Sequence, residues 1–197
     1  MSQALIKISG KGVAPLRPVL KLSKDAADAV TGCQLVTEAL DRLEAGGFLL
    51  EAARLLAFAL PRREAVWWSC MCAASTAPAD LPEADRKARQ AAELWVRQPG
   101  DKNRIAAKQQ ADATELSSPE AWTAMAVFHS GDSITPEDQP AVPPKPHTAA
   151  RSLAGAIAVA AVRGDPLRQM VRLQRFLQSG RNIAAGGTGR VPPEEPI

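Results

Sequence analysis

Tyrosine is absent from this 197-residue chain, histidine occurs twice, and aromatic residues make up 4% of it. So few nitrogen and sulfur donors leave little from which to build a metal or nucleophile site. The cysteines Cys33, Cys70 and Cys72 are odd in number and form no disulfide framework. Residues 1–7 lack the apolar stretch that export requires. No apolar run reaches the ~18 residues of a membrane span. The longest candidate, residues 153–162, is rich in small side chains and stops at Arg163-Gly164. A reducing cytoplasm with free thiols is the expected setting.

The motifs of catalysis are equally scarce. Walker and dinucleotide signatures are missing, and the Gly-rich run Gly186-Gly187-Thr188-Gly189 lacks the preceding strand and following helix of a phosphate loop. Cys70 and Cys72 would sit about 200° apart on a helix, too far to share one metal while the helix persists. His129, His147 and Cys33 show no close-paired ligand spacing. Paired acids such as Asp25 and Asp28 stand at helix starts, where they complement the dipole. The expectation is a non-enzymatic protein with no cofactor and no metal. A small thiol-dependent or metal enzyme is the outlying alternative.

What the chain does contain is helix-forming material. Ala, Leu, Arg, Glu and Gln dominate, and hydrophobic residues make up 46%. Proline and glycine divide it into helical stretches: 23 onward, 34–45, 48–60, 61–75, 82–96, 101–114, 118–128, 148–162 and 166–184. The fold class is all-α, a single compact multi-helix bundle of antiparallel helix pairs with some solenoid character. Helix pairs bounded by proline and glycine suggest a repeat, but no motif recurs at a fixed period. Residues 1–22 read as an extended basic N-terminal arm, 23–185 as the helical domain and 186–197 as a disordered tail. Within the domain, five prolines between 131 and 146 exclude a helix there and indicate a strap anchored by Ile134 and Val142.

The adjacent pair Trp67-Trp68 is the most informative feature. Two tryptophans about 100° apart on one helix need cover on two sides, so that helix belongs inside a stack. Trp67, Trp68, Trp95 and Trp122 are the expected core.

Charge is segregated along the chain. Residues 1–24 carry +5, residues 25–146 carry −6 and residues 147–190 carry +6. The basic ends either fold back on the acidic middle or dock an acidic partner. Arg168, Arg172 and Arg175 follow i, i+4, i+7 spacing and form the candidate partner-binding stripe, with Met170, Leu173 and Leu177 opposite. Nucleic acid is disfavoured, because no helix-turn-helix is recognisable and the acidic middle would repel phosphates. A regulatory nucleic-acid binder using the basic ends is nevertheless the first alternative. Oligomeric state is not legible.

Glu64-Ala65-Val66-Trp67-Trp68-Ser69-Cys70-Met71-Cys72, followed by Ala91 to Val96, Ala121 to Phe128, the proline strap and Phe176-Leu177, resembles an uncharacterised bacterial helical family associated with type VI secretion. The similarity spans roughly residues 30–185, the folded part by composition. It implies an adaptor or chaperone-like accessory whose protein partner is a secreted effector or a spike component. It carries over no catalytic residue.

Overall fold

The computed structural model describes residues 4–136 and 139–194. Among them are ten α-helices, one 3-10 turn and no strand. In chain order the helices are α1 (Arg17–Leu20), α2 (Lys24–Ala29), α3 (Val36–Ala45), α4 (Leu49–Ala59), α5 (Arg62–Ser75), α6 (Glu83–Arg97), α7 (Asp101–Asp112), α8 (Pro119–Phe128), α9 (Thr148–Val162) and α10 (Gln169–Ala184), the last preceded by the 3-10 turn Pro166–Arg168.

Local chemistry sets the helix ends. Ser23 Oγ accepts the Ala26 amide and Ser118 Oγ accepts the Ala121 amide at 3.1 Å, each satisfying a donor that an N-terminus leaves open. Pro119 fills the first position of α8, where its missing N–H costs nothing. Glu38 reaches back to the amides of Gln34 and Leu35, and those bonds hold its carboxyl below the usual range. Gly47, at φ +77°, makes the turn between α3 and α4.

Helix α5 lies at the centre and packs against α6, α8, α9 and α10. Trp68 is wholly buried there, and its indole N–H donates to the Phe176 carbonyl of α10 at 2.7 Å. Helices α6, α7 and α8 pack on one another through alanines, among them Ala88, Ala92, Ala107 and Ala111. Helix α9 then returns to α4 and α5, and α10 does the same. The chain therefore closes on itself as a bundle.

The terminal segments differ from their sequence reading. Instead of an extended arm, the described part of residues 1–22 buries Leu5, Ile8, Val13 and Leu20. It is stitched to the body by amides: Val13 donates to Gln34 at 3.0 Å, Val36 to Lys11 at 2.9 Å and Lys7 to Ala184 at 2.9 Å. Its glycines and prolines mark turns between packed side chains. The described part of the tail is ordered too. Trp67 Nε1 donates to the Thr188 carbonyl at 2.8 Å, the Gly189 amide to Asn182 Oδ1 at 2.8 Å, and the Glu194 amide to the Ser75 carbonyl at 2.9 Å. Residues 186–194 thus form a C-terminal strap, while 195–197 fall outside the described residues.

The proline segment is held differently from expectation. The Ile134 amide donates to Val142 at 2.8 Å, but both side chains are exposed and lie outside the buried core. The anchor is Arg104, whose guanidinium donates to the carbonyls of Phe128 and Ser133 and lies 5.3 Å from the Phe128 ring centre. Glu137 and Asp138 are outside the described residues.

Candidate partner-docking surface

Helix α10 carries the sequence-predicted site, and the structure splits it. Arg172 is buried, at 5% exposure, and is not part of an open stripe. Its Nε and Nη2 meet both carboxylate oxygens of Glu194 at 2.9 Å, while Nη1 donates to the carbonyls of Ala161, Arg163 and Asp165. Arg168 shares the same carboxylate at 3.0 Å. Arg172 is rotated about 40–60° from Arg168 and Arg175 toward the buried face, because i+4 steps drift around a helix of 3.6 residues per turn. These arginines hold the Glu194 carboxyl below the usual carboxylate range, the Arg172 hydrogen bonds contributing most. Arg175 is exposed and makes no ion pair among the described residues.

Beside these arginines runs a groove of ≈ 850 Å³ between α10 and the C-terminal strap. Arg168 and Arg175 line it from the helix and Arg190 from the strap, with Ser179 and Asn182 toward the far end.

The apolar residues of α10 also fall differently. Leu173, Phe176 and Leu177 are buried, but Met170 is half exposed and not part of the packed face. It joins Leu167, at 92% exposure, and Val171, at 51%. These three stand at i, i+3 and i+4 where the 3-10 turn enters α10, and they form an apolar knuckle. Sequence reasoning missed Leu167 and Val171. The signal was present: Val171 lies about 160° around the helix from Leu173, so both cannot face one core.

The tryptophans occupy three kinds of place. Trp68 and Trp95 are buried. Trp67 is partly buried and bonds the strap. Trp122 is at the surface, at 36% exposure, and is not a core residue. Its ring covers Gly155 of α9, where an added methyl group would collide with it, and its N–H donates to Leu116 at 2.6 Å. Nearly every other position of α8 is buried, which leaves this side chain the outward direction.

Part of the charge segregation resolves within the molecule, through Lys7, Arg163 and Arg181. Lys7 pairs with Glu64 at 3.0 Å, and Arg181 with Glu44 at 2.8 Å and with Asp41. Glu120, wholly buried at the start of α8, takes two guanidinium nitrogens of Arg163, which also donates to the Ala73 carbonyl. The basic ends meet the acidic middle directly.

Cys33, Cys70 and Cys72 are buried free thiols, and burial pushes those of Cys70 and Cys72 well up. His129, whose pKa burial lowers, and His147, its ring tilted against Phe58 at 5.6 Å between centres, line a small cavity of ≈ 190 Å³. Among the described residues no three His, Cys, Asp or Glu side chains are grouped to hold a metal.

A family model covers residues 39–184 of this chain. The chain belongs to DUF6931, a family of unknown function. The matched span runs from within α3 to the last residue of α10, so it includes the tryptophan helix and the apolar knuckle and excludes the strap. The family description assigns no activity and no partner. No curated protein and no solved structure matches the chain. No helix among the described residues is long and apolar enough to cross a membrane.

Proposed function

We propose that this chain is a non-catalytic protein-docking module, an adaptor or chaperone-like accessory, that engages its partner through the entrance of α10. The carrying observation is the knuckle of Leu167, Met170 and Val171, three exposed large apolar residues at i, i+3 and i+4 where the chain enters α10. Single exposed apolar residues are ordinary, but a cluster rimmed by charge marks an interaction site. Arg168 and Arg175 supply that rim and favour an acidic partner.

The nucleic-acid alternative is weakened in part by where some of the basic charge goes, since Lys7, Arg163, Arg172 and Arg181 are bound to internal carboxylates. The thiol-enzyme alternative would need a thiolate, which burial of Cys70 and Cys72 opposes. The resemblance noted in the sequence makes a secreted effector or spike component, met in the cytoplasm before export, the partner class to look for first.

Photo-crosslinking in the native cell tests the docking face. A crosslinkable residue at position 167 or 171 should trap one partner, and one at the exposed Lys102 should not. Equal trapping from all three positions, or none, would remove the knuckle as the docking site.

A further inference from the structure

The groove beside the knuckle has its own recognition chemistry. At one end Arg172 and Arg168 already hold a carboxylate, with Arg172 using the side-on, two-point geometry suited to carboxylates. The group so held, Glu194, follows Pro192 and Pro193 in a segment of irregular backbone laid along α10. Farther along, Arg175 on the helix and Arg190 on the strap line the same groove, both exposed and neither in an ion pair among the described residues. From Arg168 to Asn182 the groove follows fourteen helical steps, roughly 21 Å at 1.5 Å per residue. That is the span of about six extended residues.

We propose that this groove binds an extended acidic peptide segment of the partner, with its carboxylates on Arg175 and Arg190. This deepens the docking reading and rests on it for the identity of the protein that supplies the segment. The internal Glu194 contact is the precedent: Arg168, which lines the groove, and the buried Arg172 beside it already hold a glutamate carried on a proline-containing segment. A single strand of nucleic acid fits less well. Among the described residues the groove lining offers no aromatic ring on which a base could stack, and its three arginines are a short track for a phosphate backbone. The wall formed by the strap lies beyond the span that matches the family, so this site joins a family helix to a segment outside the match.

Fluorescence anisotropy on the full chain decides the matter, with three probes. These are a fluorescein-labelled octapeptide alternating glutamate and proline, the same peptide with glutamine for each glutamate, and an oligothymidylate of equal charge. All are measured in a Glu195→Gln background, so that the chain's own next carboxylate does not compete. The glutamate peptide should bind, the glutamine peptide should not, and R175E/R190E should weaken binding at least tenfold. Both arginines are exposed, and an unchanged melting temperature confirms that the variant is folded. Equal binding of the two peptides, unchanged binding by R175E/R190E, or oligothymidylate binding as tightly as the glutamate peptide would overturn the proposal. A Leu167→Asp/Met170→Asp chain separates the two readings: it should lose the crosslinked partner and retain the peptide.

Discussion

Trp68 and Gly180 meet across the α5–α10 interface, the indole ring standing where a side chain on residue 180 would have to go. A methyl group there would lie 2.8 Å from Trp68 Cε2, closer than packed carbon atoms tolerate. The missing side chain lets the indole N–H reach Phe176, one turn earlier on α10. Gly180→Ala should therefore destabilise the protein by ~1–3 kcal/mol through overpacking, although alanine is the better helix former. Trp68→Ala should cost more, about 3–5 kcal/mol. Urea denaturation of the two variants checks both values and their order.

Arg172 and Arg175 are three residues apart and should behave oppositely. Arg172→Ala strips Glu194 of its two-point partner and takes a guanidinium donor from the Ala161, Arg163 and Asp165 carbonyls, of which the last two keep a backbone amide, so a loss of about 3–5 kcal/mol is expected. Arg175→Ala removes an exposed side chain and should change stability by no more than ~0.5 kcal/mol. Equal effects in chemical denaturation would restore the uniform stripe.

Glu120 and Arg163 make the same argument at the start of α8. Glu120→Ala leaves a guanidinium in a largely closed site beside the Ala73 carbonyl. A loss of ~3–5 kcal/mol is expected, again by denaturation. If Glu120→Ala were neutral, the pair would contribute nothing to holding α8 on the body.

The strap should respond to acid. The folded pKa of Glu194 lies below its ordinary value, so its contribution is complete above the unfolded pKa of ~4.3 and is lost as pH falls through the folded value. Glu38 has the same sign. Hydrogen exchange of residues 188–194 should thus be protected at neutral pH and lose protection below about pH 4. Glu194→Gln should show weak protection at every pH.

Thiol reactivity offers a separate check on the core. With burial disfavouring the thiolates of Cys70 and Cys72, both should resist alkylation in the native protein and react once urea unfolds it. Rapid native labelling of either would place α5 nearer the surface than its packing allows.

The helices were legible because proline, glycine and capping serines mark their ends, and those are local signals. The helix over 118–128 was readable from its start signal, Ser117-Ser118-Pro119-Glu120, and from the stop at Ser130-Gly131-Asp132. Other features depend on contacts across the sequence. Leu5, Ile8 and Val13 have no helical period, so nothing in their spacing separates a packed segment from a loose arm. Helix α8 is apolar on nearly every side, which hid the outward direction of Trp122. The counter-ion of Arg172 lies 22 residues away, and the helical i, i+4, i+7 spacing made a buried arginine look like its more accessible neighbours.

The pairing of Arg181 with Asp41 also constrains how the chain acquires its shape. The partners are 140 residues apart, and the bond from Trp67 to Thr188 spans 121. At ~5–20 residues per second, a ribosome needs about 7–28 s to make the segment between Asp41 and Arg181. Once made, α4 and α5 spend the rest of that interval awaiting the helix that covers Trp68. Most of the bundle can form early from sequence neighbours, but closure is a late event of the longest range. The nascent chain is thus most exposed to aggregation just before α10 arrives.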